Sequence, residues 1–225
     1  MQNMAYLQRV TFDKLQERFK QYGVEVQPSY LRYEKDLQNG VNHYPFAFEP
    51  SPNDSATEKK LNKNDLFYVC SFTFGYAITG TITGTGGAAD KTITTANAPL
   101  RTYPISGCEN LEALYNGFIR VTTGSKINIE NLSTLNFKFV PNDLTSSTTA
   151  PEFQNDTVAY ANVSDLMLAG TKSHTLELNI PALAAGENLV PTTADGISSA
   201  KVKVVLQLNG FLLKNGAIIA QQENF

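Results

Sequence analysis

Residues 200–216 read AKVKVVLQLNGFLLKNG. Val202, Val204, Leu206 and Leu208 fall at every second position, the period that lines one face of a β-strand. Asn-Gly then occurs twice, at 209–210 and 215–216. Both residues of that pair tolerate positive φ, which a two-residue hairpin turn demands. The stretch therefore predicts a strand over AKVKVVLQL, a hairpin at Asn209-Gly210, and a return through FLLKNGAIIAQ with a second turn at Asn215-Gly216.

The same reading extends upstream. HTLELNI (174–180) alternates strictly, and FIRVTTGSKINIE (118–130) reads as a hairpin across a Thr-Gly turn. STLNFKFVP (133–141) reads as a further strand closed by Pro141, and DLFYVCSFTFGYAITGTIT (65–83) as one long strand or two short ones. SGCENLEALYNG (106–117) has a helical pattern, with Ser106 and Glu109 as a capping box and Gly117 as the stop. Residues 141–157 form a long polar loop without periodicity. About eight to ten strands follow at close spacing without a βαβ rhythm, so the fold class is mainly β, an antiparallel sandwich.

The N-terminal region differs. In TFDKLQERFKQYG (11–23), Phe12, Leu15, Phe19 and Tyr22 gather on one stripe of a helix, with Thr11 as N-cap and Gly23 as C-cap. Such a stripe needs a partner surface: its own sheet, a neighbouring subunit or a membrane. Pro28, Pro45, Pro50 and Pro52 break up residues 24–60, which read as a mostly irregular extended arm. The expected division is residues 1–60 for helix and arm and 61–225 for the β domain.

Composition excludes several functions. Charged residues make up 17% of the 225-residue chain and the net charge is −3, with no basic patch to neutralise phosphates, so specific nucleic-acid binding is not expected. GTGGAADKT (84–92) resembles a P-loop only superficially. Lys91 and Thr92 match its last positions, but Thr85 and Asp90 stand where its glycines belong, and a β-branched run follows where a helix should start. It reads as a flexible hairpin tip.

His43 and His174 are the two histidines and have no metal-ligand partners at useful spacing. Cys70 and Cys108 are the two cysteines; Cys70 ends the apolar run LFYVC, which favours a packed thiol, and a disulfide between them stays open. No G-x-S-x-G elbow occurs, Glu34, Asp36, Asp65 and Glu109 sit in charged or capping contexts, and Trp is absent. No catalytic, cofactor or metal residues are assigned, and neither an enzyme nor a small-molecule substrate is expected. The N-terminal residues lack the uninterrupted apolar core of a signal peptide.

The order of elements resembles bacteriophage capsid proteins of the jelly-roll or related β-sandwich type. TFDKLQERFKQYG supplies the helix, LNKNDLFYVCSFTFGYAI opens the β domain, and CENLEALYNGFIRVTTGSKINIENLSTLNFKFVP forms its middle. The resemblance implies a self-assembling virion structural protein made in the host cytoplasm, with copies of itself and other virion proteins as partners. Phe12, Leu15, Phe19 and Tyr22 would then contact neighbouring subunits or an internal membrane. The alternative is a β-sandwich binding module for a receptor or glycan.

Overall fold

The computed structural model describes residues 2–48, 61–82, 90–94, 100–103, 108–138, 159–192 and 197–217. Helix α1 (Gln2–Lys20) is followed by β1 (Val26–Asp36), β2 (His43–Phe48), β3 (Leu66–Ile82) and the short β4 (Lys91–Ile93). A 3₁₀ helix (Glu109–Tyr115) leads to β5 (Phe118–Thr123) and β6 (Lys126–Ser133), and a second 3₁₀ turn follows at Thr134–Phe137. Strands β7 (Ala159–Ala169), β8 (His174–Asn179) and β9 (Ile197–Leu213) complete the order.

Two antiparallel sheets face each other, one ordered β1-β9-β3 with β7 and β4 both on β3, the other β2-β8-β5-β6. The pairings are nested: β1 with β9, β2 with β8, β3 with β7 and β5 with β6, all antiparallel. A chain paired in that way is one long hairpin, rolled up so that successive rungs fall alternately in the two sheets. That winding is the jelly roll, and β4 is an addition to it. Between the sheets lies the main core, with Phe67, Phe72, Phe74 and Tyr76 from β3, Val204, Leu206 and Leu208 from β9, and Ile119, Val121, Leu176 and Leu178 from the opposite sheet.

Four expectations need correction. The arm is not irregular over its described part: β1 pairs with β9 along 11 residues, and β2 pairs with β8. Residues 26–48 thus belong to the sandwich, and the boundary at residue 60 does not hold. Pro28 and Pro45 are compatible because β1 and β2 are edge strands, where a missing N–H breaks no ladder.

The second correction concerns Asn209-Gly210, which makes no turn; β9 runs through it for 17 residues. Cys70 in β3 is an extra residue opposite this point, since Val69 pairs with Gly210 and Ser71 with Asn209. A Cβ on Gly210 would collide with the carbonyl oxygen of Tyr68. The glycine serves a close backbone approach at the bulge. At Asn215, by contrast, φ is +59° and the chain does turn.

The remaining two are local. Helix α1 begins at Gln2, well before Thr11, though Gly23 ends it with φ +67° as expected. The segment after Ser133 is a 3₁₀ turn capped by the Ser133 hydroxyl on the Leu135 N–H (3.3 Å), where a strand was expected. The internal helix is present in 3₁₀ form with Cys108 at its start; Ser106 lies outside the described residues, as do 83–89 of the glycine-rich loop and 139–158. Ile82 and Lys91, which flank that loop, pair antiparallel, and Lys91–Ile93 is strand.

Candidate interaction surface

The outer faces of the two sheets are unequal. That of the first sheet is partly covered by the C-terminal half of α1. Leu15 (4% exposed) and Phe19 (0%) insert between Leu66, Ala169, Phe211, Leu213 and Ala217, forming an apolar cluster separate from the main core. Phe12 is half-buried at the edge of that cluster, its ring 5.4 Å from that of Phe211 and tilted by 50°. Tyr22 is 42% exposed beyond the helix end. Of the four residues in the predicted stripe, two are thus committed to the chain's own sheet, and Phe12 and Tyr22 retain surface at either end of the contact.

Beside Phe12 the helix and sheet leave an open cleft of about 370 Å³, lined by Phe12, Pro28, Cys70, Asn209, Gly210 and Phe211. The β-bulge makes one wall, because the extra residue turns Cys70 outward. Burial pushes the Cys70 thiol up to about 11, which keeps it protonated at neutral pH and makes it a poor nucleophile or metal ligand. Both cysteines are free thiols, Cys70 packed against the helix cluster and Cys108 in the main core.

Next to the cleft a polar row crosses the same face. The Gln207 amide donates to Asn209 Oδ1 (2.6 Å), and Asn209 Nδ2 donates to the hydroxyls of Thr73 (3.0 Å) and Ser71 (3.4 Å). Further along, Glu34 accepts from Arg32 (3.0 Å) and Lys203 (3.5 Å). Burial raises the Glu34 carboxyl, but the two cations outweigh it and hold the group below the usual carboxylate range. Tyr30, 40% exposed, stands between the charged group and the cleft on β1.

The second sheet presents a face with different chemistry. Phe118 (37% exposed) and Ile127 (43%) point outward from β5 and β6, and Leu135 (56%) follows in the adjacent 3₁₀ turn. Phe118 pairs with Ser133, two residues before Leu135, so the two apolar side chains come from neighbouring backbone. The only close ion pair on the middle of this face is Arg120–Glu177 at 3.8 Å among the described residues. Phe118 and Leu135 thus form one exposed apolar pair, whereas Ile127 stands apart from them opposite Thr122, near the other end of β5.

Sequence reasoning passed over Phe118, Ile127 and Leu135. A signal was present for Phe118 alone: Phe118-Ile119 puts apolar residues on both parities of β5, whereas Ile127 and Ile129 share a parity and are separated only by the β6 irregularity. A strand with one wet face needs only one parity. His43 lies on this sheet's edge with Nδ1 2.8 Å from Asn179 Oδ1, and His174 is 2% exposed inside the sandwich. No group of three metal-ligating side chains occurs among the described residues, and no helix among them is long and apolar enough to cross a membrane.

No family model matches this chain, and no curated protein or solved structure is significantly similar to it. Fold and surface define a jelly-roll β-sandwich with one face partly covered by the helix and another that exposes a few apolar side chains among the described residues.

Proposed function

We propose that the chain is a non-enzymatic structural subunit of a virion shell that works by packing against copies of itself and against other virion proteins. The nested jelly-roll winding, entered through an N-terminal helix, carries this reading: that fold recurs in viral capsid proteins, although lectins and cupins share it. The distribution of apolar surface adds to it. Phe118, Ile127 and Leu135 stand on one broad face, while Phe12, Tyr22, Tyr30 and the cleft belong to the other. Contacts joining unlike faces propagate head to tail and can close into rings or shells. An internal membrane remains a second partner for the exposed part of α1 in this proposal.

Mass photometry and negative-stain microscopy of the full chain test it, beside the double variant Phe118→Ser, Leu135→Ser. Central apolar contacts typically contribute about 2 kcal/mol or more each, so losing both should move the assembly midpoint by on the order of 1,000-fold in concentration. Well-folded monomers from both chains at every concentration would sink the proposal.

One observation favours the binding-module alternative. The β1–β2 and β8–β9 connections border a cavity of about 320 Å³ between Gly40–Asn42 and Ile180–Leu189, with Asn42 and Glu187 as its polar side chains. Selective binding on a glycan array, abolished by substitutions at Asn42 and Glu187, would move that alternative to first place.

A further inference from the structure

His174, the first residue of β8, joins the two sheets at one end of the sandwich. Its Nε2 lies 2.8 Å from the carbonyl oxygen of Ala169, at the end of β7 in the first sheet. A carbonyl can only accept, so Nε2 carries the proton and Nδ1 holds a lone pair. Nδ1 is 3.0 Å from Thr123 Oγ1, at the end of β5 in the second sheet, and therefore accepts from the Thr123 hydroxyl. That hydroxyl accepts in turn from Asn128 Nδ2 at 2.8 Å. The chain of donors runs one way, Asn128 to Thr123 to His174 to Ala169, and uses both ring nitrogens of a neutral imidazole.

Around this ring four turns meet. Gly124 N–H donates to Ser173 O (2.8 Å), tying the β5–β6 turn to the β7–β8 turn. Gly170 N–H donates to Asp65 O (2.9 Å), tying the β7–β8 turn to the turn that precedes β3. Asp65 Oδ1 accepts from Asn215 N–H (2.9 Å), which adds the turn after β9.

We propose that His174 is an acid-sensitive latch: a proton taken up at Nδ1 turns the Thr123 hydroxyl from donor to acceptor and leaves a charge buried between the two sheets beside Lys172, which is relieved when this end of the sandwich opens to water. Among the described residues, the charged groups nearby offer the imidazolium little relief. Lys172 in its own turn repels it, and Lys63 and Lys126 stand exposed on the adjoining turns. The Asp65 carboxylate is engaged with Asn215, Arg120 and Glu177 face each other across β5 and β8, and Glu130 is exposed on β6. Burial, the largest influence, lowers the ring's affinity for protons; the Ala169 carbonyl raises it in part and Lys172 lowers it again. The unfolded chain therefore protonates first, near about pH 6.5, and the latch weakens as pH falls below that value while staying closed above it.

The device is independent of whether the chain assembles, so it is tested on dilute monomer. Imidazole NMR should find the Nε2–H tautomer at neutral pH and a titration midpoint below that of a free histidine. Amide protection factors at Gly124 and Gly170, corrected for intrinsic exchange, should drop about tenfold or more from about pH 7 to about pH 5. In His174→Gln, which cannot ionise, they should change by less than about threefold over the same range. Should that variant fail to fold, Lys172→Gln removes the like charge that disfavours the imidazolium, and the His174 midpoint should rise. An ordinary midpoint in the native chain, protection that does not follow it, or a midpoint indifferent to Lys172→Gln would each overturn the latch.

Discussion

Gly210→Ala probes the most consequential point in β9. The added Cβ would meet the backbone of β3: the carbonyl oxygen of Tyr68 first, then Tyr68 C at 2.9 Å and Cys70 N at 3.2 Å. No flexible side chain is there to move aside, so the two central strands must part locally. Overpacking of this kind costs about 1–3 kcal/mol, and each ladder hydrogen bond stretched beyond use adds about 1. The sum is about 3 kcal/mol, which for a chain of this size lowers Tm by roughly 6–12 °C.

Gly124→Ala is the comparison. Gly124 has φ +58° with nothing within 4 Å of the added Cβ, so its cost is left-handed strain alone, about 1 kcal/mol. Urea unfolding followed by near-UV circular dichroism suits a chain with 10 tyrosines and no tryptophan. A Gly210→Ala midpoint equal to or above that of Gly124→Ala would refute the close-approach reading.

Phe19→Ala should destabilise by about 3–5 kcal/mol because the ring is fully enclosed between α1 and the sheet, whereas Tyr22→Ser should stay within about 0.5; thermal melts of both decide this. Asp65→Ala strands the Asn215 N–H and should cost about 1–3 kcal/mol, read as a lower urea midpoint at unchanged slope. Cys70 alkylation should be slow at neutral pH and accelerate until the pH reaches about 11, a profile that mass spectrometry of the modified peptide can follow. A plateau near the ordinary thiol range would contradict the packing of Cys70 against the helix.

Strand character was readable wherever one parity is apolar and the other polar, as in HTLELNI, whose residues alternate buried and half-buried along β8. The helix stripe was readable too, because Phe12, Leu15 and Phe19 repeat with the helical period. Residues 26–48 were misjudged because proline excludes central strands but not edge strands, and edge position is a property of the sheet; residues 49–60 of the expected arm, with Pro50 and Pro52, lie outside the described residues. Asn209-Gly210 misled for a related reason. A glycine that accepts left-handed φ and a glycine that admits a neighbouring backbone are identical in sequence.

The candidate surface was legible only in part. Periodicity could say that Leu15 and Phe19 need covering, yet the partner, the patch of Leu66, Phe211 and Leu213, lies far away along the chain. The exposure of Phe118, Ile127 and Leu135 appears only once the inner rows of β5 and β6 are known. Local pattern, by itself, determined the mainly β class, the alternating strands such as β8 and β9, and the apolar stripe in the second half of the helix. Nested pairing, edge position, the bulge contact at Gly210 and the imidazole bridge from Thr123 to Ala169 were decided by tertiary structure, because each joins residues that only the rolled hairpin brings within reach.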